Sequence, residues 1–386
     1  MNILVVHNYY KIRGGEDAVF ENESAELEKR GHKVIKYIRR NAEIDKFNFI
    51  QKLLFFPRSI YNFKTVRDLK KILKNEQIDV AQIHNVFPLI SPSIYRYLKK
   101  KGIKTVQTIH NYRFLCPNGL FFRNGEVCEL CRGGYFSNAV KYKCYKDSKI
   151  FSLLYSAIIK LNYKTFRRFI DGYIALTDFT KIKLIDSGFD EDKIYIKANG
   201  MVDKCPAVLE NKNYFLYVGR LSKEKGIDFL LKSFSNMKDK NLIIAGDYSK
   251  STEYYEKYKD RPNINFFGFA DEAQKQTLIN ESLAVIVPSI CYDNYPIALV
   301  EAFRAGITVV GSSIGGIPFI IKDEENGLIF QPNNFKQFKE KIERVWNDND
   351  YRNKLNAGAR KTFLEKMEFS KNITILEDIY KDILLK

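Results

Sequence analysis

The chain has 386 residues, of which 45% are hydrophobic and 28% are charged, and its formal net charge is +17. This length predicts two or three domains, and the composition excludes disordered, fibrous and collagen-like proteins. No apolar run approaches the roughly 18 residues that span a bilayer, and the first residues lack the features of a signal peptide. We therefore expect a cytoplasmic protein.

Short apolar runs alternate with helical stretches along the whole chain. Most runs are continuous rather than alternating, which is typical of parallel strands covered by helices on both faces. Repeated strand–helix–strand units build parallel sheets. The pattern therefore predicts an α/β protein with strands at 2–8, 33–38, 79–85, 104–109, 172–177, 194–198, 214–219, 241–246, 264–268, 283–288, 308–312 and 327–330.

The division between the domains is predicted near 199–213, where Asn199-Gly200 leads into a polar stretch that contains Pro206. Such Gly-, Pro- and Asn-rich stretches are typical of linkers. Segment 111–150 does not follow the alternation and is predicted to be an insertion. The predicted spans are a first domain at 1–200 with this insertion, a second domain at 201–370, and a C-terminal helix at 371–386 that returns to the first domain.

The positive charge is concentrated in the first half, where residues 1–200 carry 36 basic and 20 acidic side chains. Within this half, residues 51–150 carry 19 basic and 6 acidic side chains. A one-sided basic surface indicates an anionic partner, such as lipid headgroups, phosphorylated acceptors or nucleic acid. The alternative is a surface that only keeps the protein soluble.

Segment 46–74 interleaves Lys and Arg with large apolar residues, namely Phe47, Phe49, Ile50, Leu53, Leu54, Phe55 and Phe56. This pattern fits an amphipathic element that contacts a membrane or an acceptor. It fits equally a helix that packs on the sheet with its basic face in solvent. The sequence leaves both interpretations open.

Four of the six cysteines lie within 29 residues, and the spacing of Cys128 and Cys131 is that of half a tetrahedral zinc site. In a cytosolic chain such a cluster favours a metal over a disulfide. We predict a structural zinc held by Cys116, Cys128, Cys131 and Cys144, with reduced thiols packed in the insertion as the alternative. Cys205 and Cys291 are predicted to be ordinary buried thiols.

Two glycine-containing loops follow predicted strands. Gly14 and Gly15 lie between the first strand and a long helix, where backbone N–H groups and the helix dipole can meet a phosphate. Gly219, Arg220 and Lys225 follow the strand at 214–219, at the sheet edge where α/β proteins bind ligands. Arginine can fork onto phosphate oxygens, and lysine supplies a point charge.

Two carboxylates eight residues apart follow the strand at 283–288. Asp293 is expected in the loop before a helix, and Glu301 about two turns inside it. Glu301 is surrounded by apolar residues, where an unpaired carboxylate would be costly.

These blocks resemble the retaining, nucleotide-sugar-dependent glycosyltransferases of family 4, which have the GT-B fold of two facing Rossmann-like domains with a deep cleft between them. The resemblance covers nearly the whole chain. It includes the loops above together with Thr108-Ile109-His110-Asn111, Ala198-Asn199-Gly200-Met201-Val202-Asp203 and Gly315-Gly316-Ile317-Pro318.

The resemblance implies a role for each matching residue. Arg220 and Lys225 would bind the donor pyrophosphate, Glu301 the ribose, and Asp293 the hydroxyls of the donor sugar. The family usually has Glu where this chain has Asp293, so the sugar accepted is expected to differ. His110 would lie near donor sugar and acceptor, the alternative being a core histidine bonded to backbone. The other donor-binding positions implied are Gly14, Gly15, Gly219 and Asn294.

The resemblance also implies the chemistry. We expect transfer from a UDP-sugar, with retention and without a catalytic metal, to a glycan or lipid-linked acceptor in surface-polysaccharide assembly, such as capsule or lipopolysaccharide, at an anionic membrane. Two alternatives are a nucleic-acid-binding protein with a zinc module and a nucleotide-sugar-modifying Rossmann oxidoreductase. The second lacks support because no G-x-G-x-x-G follows a predicted strand.

Overall fold

The computed structural model describes residues 1–11, 14–203, 212–249 and 251–386. The chain divides into two compact units. The first consists of Met1–Phe121, Glu129–Ala198 and Asn372–Lys386, and the second of Phe122–Cys128 and Asn199–Lys371. Cys205 and Pro206, on which two of the sequence predictions fall, lie outside the described residues.

The first unit is built on a six-stranded parallel sheet. The described strands up to residue 198 are β1 Asn2–Tyr9, β2 Lys33–Arg40, β3 Val80–Ile83, β4 Lys104–Ile109, β5 Phe122–Arg123, β6 Glu126–Val127, β7 Gly172–Ala175 and β8 Ile194–Ile196. The sheet has the order β2-β1-β3-β4-β7-β8. Strands β5 and β6 form a small antiparallel hairpin within the insertion, in the residues Phe122–Cys128 that group with the second unit. Residues Ile3–Val6 of β1 are fully buried because helices cover both faces of the sheet.

Helices surround this sheet and connect its strands. Those described before residue 198 are α1 Gly15–Lys29, α2 Phe49–Leu53, α3 Phe55–Ile60, α4 Phe63–Asn75, α5 Ser93–Lys100, α6 Ser137–Lys141, α7 Lys149–Arg168 and α8 Asp178–Asp186. Short 3₁₀ turns lie at Asn41–Lys46, Arg132–Gly134 and Glu191–Lys193. Segment 46–74 therefore does not form one helix but three, of which two are very short.

The second unit contains another six-stranded parallel sheet with the order β11-β10-β9-β12-β13-β14. Its strands are β9 Phe215–Val218, β10 Leu242–Ala245, β11 Ile264–Gly268, β12 Ala284–Val287, β13 Val309–Ser312 and β14 Leu328–Phe330. Each of the twelve strands predicted from apolar runs is thus present. The helices of the second unit are α9 Ile227–Asn236, α10 Thr252–Tyr258, α11 Glu272–Glu281, α12 Ile297–Ala305, α13 Ile317–Ile320, α14 Phe335–Asn347 and α15 Asn349–Thr362, with a 3₁₀ turn at Lys223–Lys225 and a π turn at Phe363–Met367. The last helix, α16 Phe369–Leu385, belongs from Asn372 onward to the first unit.

The strand orders fix where each sheet can bind a ligand. In parallel sheets the ligand binds beyond the carboxyl ends of the strands, where the strand order reverses. The order reverses between β1 and β3 in the first sheet and between β9 and β12 in the second. The glycine loops predicted from sequence follow β1 and β9, so each lies at a point of reversal.

None of the helices in the described part of the chain combines the length and the apolar character needed to cross a membrane.

Candidate active site

The loops that follow β9 and β12 are packed against each other. Gly226 ends the β9 loop with φ +74°, and a Cβ atom there would lie 1.8 Å from the carbonyl oxygen of Pro288. The backbone N–H of Ile290 donates to the carbonyl oxygen of Glu224 over 3.0 Å. Only glycine allows this close approach, which brings the basic residues of one loop to the acidic residue of the other.

Lys225 and Asp293 form an ion pair at this junction. Lys225 Nζ lies 2.5 Å from Asp293 Oδ2, and the hydroxyl of Ser289 donates to the same oxygen over 2.9 Å. Burial disfavours the charge of Lys225, but the Asp293 carboxylate outweighs it and raises the pKa of Lys225. The amine therefore stays cationic, and two residues predicted separately from sequence form one charged pair.

Arg220 lies in the same loop but extends into solvent, with 69% of its side chain exposed. One of its terminal nitrogens lies 3.3 Å from Glu224 Oε1, which also accepts a hydrogen bond from Ser222 Oγ over 2.7 Å. Glu224 was not predicted from sequence. Glu224 holds Arg220 only weakly, because water screens so exposed an ion pair. The guanidinium can therefore turn towards an incoming anion.

The glycine pair before α13 fixes the position of Asp293 and Asn294. The backbone N–H of Gly316 donates to the carbonyl oxygen of Asp293 over 2.7 Å. A Cβ atom on Gly316 would lie 2.1 Å from the carbonyl oxygen of Asn294, and one on Gly315 would lie 2.7 Å from the backbone nitrogen of Asp293. Any larger residue in this pair would displace the loop that carries Asp293.

Glu301 is the fifth residue of α12, which begins at Ile297, so it lies just over one turn from the helix start and not two turns as predicted. Its Oε1 lies 2.5 Å from Nζ of Lys275 on α11. Burial raises the pKa of Glu301, and Lys275 opposes this shift. Glu301 lies in an apolar environment and requires a partner, which is Lys275. Lys275 was not predicted from the sequence.

In the first unit, Gly14 and Gly15 lie at the start of α1, at the point where the strand order of the first sheet reverses. The N–H of Gly14 donates to Asp17 Oδ2 over 2.9 Å, and Asp17 Oδ1 lies 2.6 Å from Nε2 of His7. No atom of the described residues lies within 4 Å of the place that a Cβ atom on Gly14 would occupy. The described residues therefore leave open space at Gly14, where a ligand could approach the backbone.

His110 follows β4 and contacts a second histidine. Its Nε2 lies 2.9 Å from Nδ1 of His84, and the two rings are stacked with centroids 5.2 Å apart. Burial, with the neighbouring imidazole, lowers the pKa of His110 well below its usual range, and burial lowers that of His84 likewise. Both rings are therefore neutral at pH 7. The hydrogen-bond partner is a histidine side chain, not the backbone considered in the sequence analysis.

Glu16 was also missed, although it follows the glycine pair directly. Asn85, after β3, donates to one of its carboxylate oxygens over 3.3 Å, and Asn111, after β4, donates to the other over 3.2 Å. Burial raises the pKa of Glu16. This carboxylate therefore connects the loops at the carboxyl ends of three adjacent strands.

The four cysteines of the insertion do not form the predicted zinc site in this conformation. Cys116 and Cys131 are buried, Cys128 and Cys144 are partly exposed, and none of the four forms a disulfide. Cys116 Sγ donates to Asn118 Oδ1 over 3.0 Å. Across the described ranges, no three His, Cys, Asp or Glu side chains are placed to hold one metal ion. As placed in this structure, the thiols do not have the arrangement of a tetrahedral site. A structural zinc held by these four cysteines therefore stays a prediction from the sequence.

Comparison with known families gives two matches that together extend over most of the chain. Residues 13–203 match the model of Glycosyltransferase Family 4, and residues 204–362 match that of the glycosyl transferases group 1. The boundary between the two matches lies close to the boundary between the two units.

Individual proteins are similar over nearly their full length. A 42.6 kDa protein of the cps region of Klebsiella pneumoniae is 24% identical over 353 residues, covering 82% of this chain and 86% of that protein. The Escherichia coli UDP-Gal:alpha-D-GlcNAc-diphosphoundecaprenol alpha-1,3-galactosyltransferase is 22% identical over 353 residues, covering 86% of this chain and 84% of that enzyme. Anabaena HepE, solved in complex with UDP and glucose, has a TM-score of 0.67 at 16% identity and covers 99% of both chains.

These matches favour the transferase interpretation over a nucleic-acid-binding protein or an oxidoreductase. They agree with the two parallel sheets, with the glycine loops at both points of strand-order reversal, and with the basic residues that follow β9. The chain is therefore a glycosyltransferase with the GT-B fold, related to family 4 in its first half and to the glycosyl transferases group 1 in its second.

Proposed function

We propose that the protein transfers a hexose from a UDP-sugar to a glycan or lipid-linked saccharide, with retention at the anomeric carbon. The proposed setting is the assembly of a bacterial surface polysaccharide at the inner face of the cytoplasmic membrane. The observation that carries the proposal is the Lys225–Asp293 pair beside the exposed Arg220, at the point where the strand order of the second sheet reverses. The UDP bound to HepE and the galactosyltransferase named above support the choice of donor.

In the second unit, the basic residues bind the diphosphate of the donor and the acidic residues bind its hydroxyl groups. Arg220 and Lys225 bind the diphosphate and stabilise the negative charge that grows on it as its bond to the sugar breaks. Asp293, oriented by Lys225 and Ser289, accepts hydrogen bonds from the sugar hydroxyls. Glu301, oriented by Lys275, does the same for the ribose. The loop from Gly315 keeps Asp293 in place.

In the proposed reaction the acceptor oxygen bonds to the anomeric carbon on the face from which the diphosphate leaves. The acceptor proton passes to a phosphate oxygen of the leaving UDP. This route requires no covalent sugar–enzyme intermediate, because the acceptor oxygen bonds to the anomeric carbon directly. The first unit binds the acceptor, with neutral His110 as a hydrogen-bonding group and Glu16 ordering the loops around it.

We expect donor turnover to be independent of divalent ions, because cationic side chains occupy the phosphate site and no Asp-x-Asp motif follows a strand. The test incubates the full chain with a membrane lipid extract and UDP-glucose, UDP-galactose or UDP-N-acetylglucosamine, and measures UDP release. One donor should give the same rate with EDTA as without, and proton NMR should show an α-linked product from the α-linked donor. Loss of turnover in EDTA that manganese restores would contradict the metal-independent mechanism, and restoration by zinc alone would implicate the cysteines.

A further inference from the structure

A cavity of about 290 Å³ lies in the first unit, next to the carboxyl end of β2. Its lining comes from Arg39 at the end of that strand, from the 3₁₀ turn that follows, and from α2, α3 and the start of α4. We call it the basic cavity, because its charged lining residues are Arg39, Glu43, Lys46, Arg58 and Lys64. Four cations and one carboxylate give it a formal charge of +3.

Among the described residues, the acidic side chains offset only part of the charge of the basic cavity. Arg39 forms an ion pair with Glu43. Its Nε lies 3.0 Å and one of its terminal nitrogens 2.8 Å from the same carboxylate oxygen of Glu43. Within the part of the chain that the structure describes, Lys46, Arg58 and Lys64 form no ion pair with an acidic side chain. Lys64 interacts electrostatically with Glu43 but makes no direct contact with it in the described structure. Three cations around one concave space with a single carboxylate between them are what a multiply charged anion such as a phosphate requires.

The surface beside the basic cavity is apolar and exposed. Phe49 is 81% exposed, Ile50 63%, Leu53 69% and Phe63 75%. These residues lie on α2 and at the start of α4, the helices that also contribute Gln51 and Lys64 to the cavity lining. Large apolar side chains gathered on a surface mark an interaction site, and together with adjacent cations they are typical of elements that lie in the membrane interface.

We propose that the basic cavity binds the phosphate of a membrane lipid, while the apolar side chains around it enter the lipid chains. A soluble phosphate compound would leave the apolar surface unexplained, and nucleic acid would stack on Phe49 and Phe63 but not on Ile50 and Leu53. The inference extends the membrane location proposed above and rests on it, but not on the transfer chemistry. It locates membrane binding in one cavity and not in the diffuse positive charge of residues 51–150.

The test compares two kinds of phosphatidylcholine vesicle of equal negative charge in a flotation assay. One contains phosphatidylglycerol, whose headgroup carries a phosphate, and the other diacylglycerol hemisuccinate, whose headgroup carries a carboxylate. The wild-type chain should bind the first more tightly. A cavity variant that combines Lys46→Gln, Arg58→Gln and Lys64→Gln should lose about a hundredfold in affinity at low salt and should also lose the preference for phosphate.

The matched control combines Lys70→Gln, Lys71→Gln and Lys74→Gln, which removes the same charge from exposed positions of α4 outside the cavity lining. It should keep the preference for phosphatidylglycerol and lose less than tenfold in affinity. Equal losses in both variants would overturn the proposal in favour of diffuse charge. No preference in the wild type would overturn it too, as would displacement from vesicles by single-stranded RNA but not by inorganic pyrophosphate.

A second pair of measurements separates this proposal from the proposed function. Leu53→Ser combined with Phe49→Ser should weaken vesicle binding and leave unchanged the binding of inorganic pyrophosphate measured with the donor site saturated by UDP, because these side chains do not line the cavity. The cavity variant should retain the thermal stabilisation by UDP that the wild type shows, since UDP binds the second unit. Failure of the wild type to bind UDP would remove the proposed function, while the vesicle result would stand.

Discussion

Replacing Arg220 or Lys225 with alanine should lower kcat/KM for the nucleotide-sugar donor by about 100-fold or more, with the fold intact. Each residue is assigned to the charge that develops on the leaving diphosphate, and the loss of one such group typically costs about 10²–10³ in rate. Arg220 makes an exposed contact with Glu224, and Lys225 pairs with an Asp293 that keeps its hydrogen bond from Ser289. The protein should therefore tolerate both changes.

Lys223→Ala is the matched control for these variants. Lys223 lies in the same 3₁₀ turn and is exposed, but the resemblance assigns it no contact with the donor. Its removal lowers the local charge by the same amount and should change kcat/KM less than threefold. If Lys223→Ala were as impaired as the other two, general electrostatic attraction would explain the effect. If both Arg220→Ala and Lys225→Ala turned over normally, the donor site would lie elsewhere.

Lys197→Met should destabilise the first unit by about 3–5 kcal/mol, because it leaves a buried carboxylate without its cation. Lys197 Nζ lies 2.5 Å from Glu23 Oε1, and both side chains are 1% exposed. Gln82 Nε2 donates to the other oxygen of Glu23 over 2.8 Å, and Gln82 Oε1 accepts a hydrogen bond from the hydroxyl of Tyr380 on the C-terminal helix. The pair therefore ties the first helix, the sheet and the last helix of this unit together.

The measurement is the urea midpoint of the unfolding transition assigned to the first unit by tyrosine fluorescence and proteolysis. The double variant Lys197→Met with Glu23→Gln should recover part of the lost stability, since it removes both charges. Lys181→Met breaks the exposed Lys181–Glu191 pair and should cost at most about 1 kcal/mol. Equal effects of the buried and exposed changes would show that the buried pair contributes nothing specific.

The sequence predicts the strands well because most of them are continuous apolar runs, which can be recognised from neighbouring residues alone. It also predicts the loops of the second sheet, since a parallel sheet brings the residue after one strand close to the residue after its neighbour. The position of Glu301 was off by most of a turn, because α12 begins only at Ile297, after Pro296. Proline fits the start of a helix, but sequence alone did not show which residue begins it.

The partners of the predicted residues could not be found in the same way. Lys275 pairs with Glu301 from a different helix, and His84 contacts His110 from the adjacent strand end. These contacts join residues that are distant in sequence, where only the packed fold fixes their distance. For the cysteines, a spacing typical of metal ligands is not enough to predict a site, because in the described fold it does not bring the four thiols to one point.

The most direct test of the central claim is a calorimetric titration of the full chain with UDP, GDP, dTDP and ADP in the presence of EDTA. We expect one of these, UDP, to bind saturably with one site per chain. Arg220→Ala and Lys225→Ala should each weaken this binding about tenfold or more, as expected for the loss of one charged hydrogen-bonding partner of the diphosphate, and Lys223→Ala should bind as the wild type does. Absence of saturable binding of any nucleoside diphosphate, or binding that neither Arg220→Ala nor Lys225→Ala weakens, would contradict the proposed donor site.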